Sequence, residues 1–431
     1  MTPTSFISAS LAAALLIATP AVADHWPRAA PDSVGLSPER LERLTQVMQR
    51  YIDEGDVAGM VIMIAKDGEV AYEMALGEMD LATDKPMQVD TIFRIASMTK
   101  AIVSAGVMIL QEEGALLLDD PVGKFLPEWM ETTVAVADGN GGYTVKPAER
   151  PITIRDLLTH TSGVPYGAWL SDKTTQAWTD AGFEGWYFAD DTQPIRELVR
   201  QMAALPMESQ PGTTWAYGLN TDILGAVIEA ASGQSLDVFL AERIFTPLMM
   251  TDTQFWLPQD KADRLPVVYD RTGPGALTPA AEGAGMWTQG EYIVGQGPNV
   301  TLSGGAGLLS TAHDYTTFLE MIRRGGESVS GARILSPMSV DLMITDHLGD
   351  IAYPWGAGSG FGYGFRVNTD QGVTGTPGHE GEFSWGGAYS TVYWVDPVAD
   401  LVVTGWTQFG ETGGLDWQEK LRAMVYQAVI D

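Results

Sequence analysis

The chain contains no cysteine, which excludes disulfide bonds, thiol nucleophiles and cysteine-ligated zinc together. A chain of 431 residues does not need such staples, because its length allows a large core. Basic residues are scarce as well: 25 Lys and Arg face 55 Asp and Glu, for a formal net charge of −30. Such a surface repels phosphate backbones and anionic lipid, so nucleic-acid binding and electrostatic membrane docking are not expected. The five histidines, at 25, 160, 313, 347 and 379, are scattered, and no H-E-x-x-H, P-loop, G-x-G-x-x-G or G-x-S-x-G pattern occurs. The expectation is chemistry without a metal or cofactor. After the first residues no run of about 18 apolar residues appears, the length a membrane-spanning helix needs.

The first 23 residues hold no Lys, Arg, Asp or Glu. An apolar run over 6–17 leads through Pro20 to Ala21-Val22-Ala23, an A-x-A cleavage pattern just before the acidic Asp24. Residues 1–23 read as a signal peptide, so the mature protein is expected to be periplasmic or secreted, with no stable membrane anchor. Nothing in the sequence sets an oligomeric state.

The chain as a whole is rich enough to fold, with 45% hydrophobic and 19% charged residues. Leu41, Leu44, Val47, Met48 and Tyr51 recur at three- and four-residue spacing, which predicts a helix over 38–53. Strand-like runs at 60–65 and 70–74 flank Asp67-Gly68, a hairpin signal. A nearly all-apolar helix is expected over 97–114, and the pattern stays mostly helical to residue 240, with helices at 154–158, 195–203 and 222–231. Residues 251–300, rich in proline and glycine, are expected to wall a cleft. A helix at 311–324, strands at 361–367, 388–395 and 401–407, and a helix over 415–429 complete the chain. This order predicts an α/β (α+β) fold: an antiparallel sheet from both termini flanked by helices, over 24–95 and 300–431, with a mostly helical domain, 96–299, inserted between its halves.

Three short motifs carry chemistry. Ser97-Met98-Thr99-Lys100 is a Ser-x-x-Lys, and on a helix positions i and i+3 share a face, which sets the lysine nitrogen beside the hydroxyl. A serine hydroxyl is a weak nucleophile until a neighbouring base takes its proton, and a lysine in a desolvated pocket can do so. At a helix start, Ser97 also has free backbone N–H groups nearby for an oxyanion. An N-capping serine with a surface lysine has the same spacing, but the succeeding turns are too apolar for a surface helix. Tyr217, in Tyr217-Gly218-Leu219-Asn220 at a loop-to-helix junction, can point a phenol into a cleft and shuttle a proton. Trp385-Gly386-Gly387-Ala388 leads into an expected strand; its glycines let substrate approach the backbone, and the next N–H can complete an oxyanion hole.

In this order the motifs resemble the serine beta-lactamase and penicillin-binding-protein superfamily, and within it the class C-like family VIII carboxylesterases. The segment Leu157-Leu158-Thr159-His160-Thr161-Ser162-Gly163 looks typical of that branch, and the resemblance runs over about residues 32–426. It implies a beta-lactamase/transpeptidase-like fold, with Ser97 the acylated nucleophile, Lys100 its activating lysine and Tyr217 the general base. The oxyanion hole falls to the N–H groups of Ser97 and Ala388, and Trp385, Gly386 and Gly387 face substrate. Penicillin-recognising relatives carry Lys-Thr-Gly where this chain has Trp385-Gly386-Gly387. Losing a charge-assisted contact to a carboxylate removes roughly 1.5–3 kcal/mol, so a small-molecule ester is the expected substrate rather than a beta-lactam.

Asn220 follows Tyr217 by three residues instead of the usual two, and no catalytic role is assigned to it. A beta-lactamase, D-amino-acid peptidase or acyltransferase of the same fold is the alternative, and a competing register aligns His379-Glu380-Gly381 with the third motif. The alternative of another class is an inactive binding or sensor protein. His160 reads as a loop-holding residue, and substrate choice is expected around Trp169, Trp178, Trp186 and Trp287.

Overall fold

The computed structural model describes residues 26–140, 142–167, 174–281, 289–410, 412 and 414–431. The stretch read as a signal peptide, with Trp169 and Trp287, lies outside the described residues. Eight strands form one antiparallel sheet: β1 (Gly59–Lys66), β2 (Glu69–Asp80), β3 (Lys85–Pro86), β4 (Ser359–Phe361), β5 (Arg366–Asn368), β6 (Phe383–Gly387), β7 (Thr391–Asp396) and β8 (Leu401–Trp406). Their spatial order is β4-β5-β6-β7-β8-β1-β2-β3, so early and late parts of the chain meet where Val61 pairs with Trp406. Asp67 and Gly68 turn the β1–β2 hairpin, both at positive φ, 56° and 82°.

Alternation along β1 explains why the sheet is covered on both sides. Met60, Ile62 and Ile64 belong to one buried cluster, and Val61, Met63 and Ala65 to another. Five helices organise these clusters: α1 (Pro38–Asp53), α2 (Thr99–Glu112), α3 (Asn220–Ser232), α4 (Ala312–Arg323) and α5 (Trp417–Tyr426). Leu41 and Leu44 of α1 and Trp417 and Leu421 of α5 pack with Ile62, Ile64 and Val403. On the opposite face α4 lies on β1 and β8, and α2 and α3 pack on one another within the same core. Every residue from Thr99 to Leu110 is buried, and each large apolar side chain among them adds about 1.5–3 kcal/mol relative to exposure.

The motif-bearing segments depart from expectation in their local geometry. Ser97 lies in a 3-10 turn, Ala96–Met98, and α2 begins only at Thr99. Ala96 has φ 42°, a strained entry to the turn that apolar spacing does not reveal. The strand expected at 388–395 starts later: β6 ends on Trp385-Gly386-Gly387, Ala388 opens a turn in which Ser390 has φ 64°, and β7 runs only from Thr391. The glycine pair expected to lead into a strand is instead the end of one. The strand expected at 361–367 is the β4–β5 hairpin, since Gly362 and Gly364 lie in the turn between its arms.

Two loop regions also differ. The stretch expected to be mostly helical holds a hairpin, Thr133–Ala137 with Tyr143–Pro147. Among the described residues of 251–300, Tyr269–Gly273 pairs with Ala276–Pro279, and Gln289 bonds to Val268 and Ala280. Val268, Tyr269 and Ala280 are buried, and none of these residues lines the cleft that opens at Ser97.

The short helix Ile154–Leu158 is held by Asp156. Its carboxylate accepts from Thr153 N and Oγ1, both at 2.8 Å, and from both Arg150 terminal nitrogens, at 2.6 and 2.9 Å. Asp156→Ala leaves these donors unmatched and should lower unfolding free energy by about 3 kcal/mol. Urea unfolding of the two proteins measures it, and equal midpoints would remove Asp156 from this role.

Candidate active site

Ser97, Tyr217, Trp385, Gly386, Gly387 and Ala388 come from separate stretches of chain and line one cleft of about 500 Å³. Lys100 is buried beside Ser97: its Nζ donates to Ser97 Oγ at 3.2 Å and to the Gly305 carbonyl at 2.7 Å. The same nitrogen lies 4.8 Å from the centre of the Tyr217 ring and 5.4 Å from that of Tyr166. The Gly305 loop is fixed in turn by Asp222, which accepts from Ser303 Oγ at 2.6 Å and Gly305 N at 3.1 Å. Burial pushes the Asp222 carboxyl above its ordinary value, against the pull of the Ser303 hydrogen bond and the Lys100 charge.

Tyr217 is set by the turn that starts α3. A Cβ at Gly218 would lie 2.0 Å from the Val164 carbonyl oxygen, so only glycine lets the two loops meet there. Asn220 bonds to His160 Nδ1 at 2.8 Å and accepts from the Ser162 hydroxyl, which makes it an anchor between loops. The phenol oxygen accepts from Trp385 Nε1 at 3.1 Å. Around the Tyr217 ring, Trp215 stacks at 5.8 Å, while Trp355 and Trp385 approach at 5.0 and 5.3 Å. Tyr217, Tyr353, Trp355 and Trp385 give one end of the cleft an aromatic wall, with Trp215 packed behind it.

The third motif reaches the nucleophile through its backbone. A Cβ at Gly387 would lie 2.4 Å from the Ile95 carbonyl oxygen. Glycine is therefore what allows the end of β6 to lie against the segment entering the Ser97 turn, with both backbones on the same cleft.

These motifs sit within a match to the family described as Beta-lactamase that spans residues 44–422. The chain belongs to the beta-lactamase family. Esterase EstB of Burkholderia gladioli is 34% identical over 366 residues, covering 84% of this chain and 88% of EstB. The lovastatin esterase of Penicillium rubens is 32% identical over 382 residues, covering 83% and 90% of the two chains. The solved structure of EstCE1, titled a hydrolase with promiscuous acyltransferase activity, superposes with a TM-score of 0.76 at 30% identity, covering 90% of this chain and 98% of its own. The resemblance to family VIII carboxylesterases and the beta-lactamase-like fold expected from the motifs are both borne out.

Two residues that no motif marks complete the site. Tyr166 is buried with its hydroxyl facing those of Ser97 and Tyr217, and burial above all pushes its pKa well above 10. Only its place three residues after the Leu157–Gly163 segment signals it. Trp355 joins the wall from a loop without periodicity. Trp178 and Trp186, expected to shape substrate choice, are core residues: Trp178 Nε1 donates to the Pro206 carbonyl, and Trp186 packs edge-on against Tyr389. The competing His379 register fails, since His379 pairs with Asp396 at 2.8 Å and Trp385-Gly386-Gly387 occupies the cleft. Among the described residues no cluster of three or more His, Asp or Glu is placed to hold a metal ion.

His160 is buried at φ 56°, and burial, reinforced by the Lys100 charge, holds its imidazole well below the ordinary 6.5. Below pH 6.5 the unfolded chain takes up a proton that the folded one refuses. Its influence is thus absent above 6.5, and stability falls as pH drops from 6.5 through the folded value. His160→Asn keeps a residue that tolerates positive φ and should flatten this slope just below pH 6.5, by at most about 1.4 kcal/mol per pH unit. Urea midpoints across that window measure it; identical slopes would show that His160 is not the group responsible.

Proposed function

We propose that this protein is an exported serine carboxylesterase that acylates itself on Ser97. The observation carrying the proposal is the 3.2 Å contact between Lys100 Nζ and Ser97 Oγ, opening on an aromatic-walled cleft. Esterases among the relatives support it. The Ser97 proton passes to the Lys100 and Tyr217 pair as Oγ bonds to the ester carbonyl carbon. Backbone N–H groups of Ser97 and Ala388 hold the oxygen that becomes negative. Collapse breaks the carbon–oxygen bond to the alcohol, which takes the proton. Water, giving a proton to the same pair, then adds to the acyl carbon and frees the acid and Ser97. Export rests on the charge-free first 23 residues and their A-x-A pattern.

Tyr353, Trp355 and Trp385 suit an uncharged group beside the scissile bond, where a beta-lactam carboxylate calls for a cation. Transfer of the acyl group to an acceptor other than water uses the same intermediate, and EstCE1 is a hydrolase with promiscuous acyltransferase activity.

Ser97→Ala should lower p-nitrophenyl butyrate hydrolysis at least about a thousandfold and should abolish the mass gain from an active-site phosphonate. Retained activity sinks the assignment. Wild-type protein should turn over the butyrate ester faster than a chromogenic cephalosporin; the reverse order would make it a beta-lactamase. Trp385→Phe keeps the wall but removes the N–H to Tyr217, and should lower kcat about tenfold with little change in KM. A change confined to KM would limit Trp385 to binding.

A further inference from the structure

The cleft continues past the aromatic wall along β6, to Ser384, Arg366, Glu382 and Arg422. Arg422 is already neutralised by an ion pair with Glu382. The remaining carboxylate of the lining, Glu419, is exposed to solvent on α5. Arg366 is different. Its Nε and Nη2 donate to Ser359 Oγ at 3.0 and 2.8 Å, and among the described residues it has no carboxylate partner and Nη1 makes no hydrogen bond.

A neutral acceptor thus fixes the guanidinium while its charge stays uncompensated, and the edge formed by Nη1 and Nη2 is left for a ligand. Carboxylates outnumber cations here by 55 to 25, so a half-buried cation without an acidic partner is an arrangement that a bound anion would stabilise. Arg366 lies opposite Ser384 in the β5–β6 pairing, which sets the serine hydroxyl on the same face, the one shared by Trp394 and opposite that of Trp385, so the cleft reaches this pair round the edge that Trp385-Gly386-Gly387 leave without a β5 partner. Ser384 is four residues before Ala388, three of the steps within β6 and the last into the turn, a backbone span of at most about 13 Å.

We propose that this end of the cleft is a carboxylate subsite, and that the preferred substrates are amphiphilic esters. They are apolar around the scissile bond and carry a carboxylate at most about 13 Å from it, held end-on by Arg366 with Ser384 assisting. The indole at 385 takes the cation away from the reacting carbonyl, and Arg366 supplies one further out. This inference rests on hydrolysis at Ser97.

The full chain is tested with two ester pairs that differ only in charge. In one, 10-butyryloxydecanoate against 10-butyryloxydecanamide, the anion lies in the alcohol. In the other, monoethyl dodecanedioate against ethyl 11-carbamoylundecanoate, it lies in the acyl group. In at least one pair kcat/KM should favour the acid about tenfold, through KM, and the preference should shrink in high salt. Arg366→Gln should lower the acid-to-amide ratio about tenfold, and Arg366→Lys should keep part of it. The salt dependence is read on wild-type protein, so it stands even where a variant fails to fold. Equal rates on acid and amide in both pairs overturn the subsite, as does a folded Arg366→Gln with wild-type ratios. A wild type that cleaves none of the four and takes no phosphonate at Ser97 overturns the hydrolase reading, and the subsite falls with it.

Discussion

Lys100 is 1% exposed, and a nitrogen of that polarity is costly to bury without partners. The Gly305 carbonyl and the Ser97 hydroxyl supply hydrogen bonds, and the faces of Tyr166 and Tyr217 lie within reach of its charge. Each partner comes from a different part of the chain. Ser97 enters from the sheet side, Tyr166 and Tyr217 from loops packed on α3, and Gly305 from the loop before α4. A fold that places this nitrogen inside must bring all of them together.

The demand propagates outward. Gly305 can accept from Lys100 only where its loop is held, and Asp222 on α3 holds it through Ser303 Oγ and the Gly305 N–H. Asp222 is itself buried, so α3 must pack tightly on α2, which Gly106 assists: a Cβ there would meet Ile228 at 3.2 Å. The same closeness leaves no solvent-facing side on the first turns of α2. The apolar run after Ser97-Met98-Thr99-Lys100, the clue that sets this motif apart from an N-cap, is therefore a consequence of burying the lysine.

That link explains which parts are legible in the sequence. The helix over 38–53 is legible to the residue because one face meets a core and the other meets water. The β1–β2 hairpin is legible from Asp67-Gly68, since positive φ at both positions is a local demand. The illegible parts are set by contacts distant in sequence. Gly386-Gly387 looks like the approach to a strand and not the end of one, because nothing local reveals that Gly387 must clear the Ile95 carbonyl. Apolar spacing puts Ser97 on the helix itself, because the 3-10 turn and the positive φ of Ala96 leave no mark in that spacing. Tyr166 and Trp355 have no motif at all. Trp178 and Trp186 mislead for the opposite reason, since a tryptophan in a loop-rich stretch is as able to fill a core as to line a cleft.

Trp385 ties substrate choice to proton movement. Its ring belongs to the wall that meets substrate, while its N–H holds the Tyr217 oxygen at 3.1 Å. A lysine in its place restores charge recognition near the scissile bond but loses an aromatic contact to Trp355 and brings a second cation towards Lys100. A phenylalanine keeps the wall and frees the phenol to rotate. The two functions are thus carried by opposite ends of one indole, and no single replacement preserves both. Recognition of an anion can be added without that penalty only where the cation stands apart from Tyr217, and Arg366 on β5, oriented by Ser359 beyond the wall, is so placed.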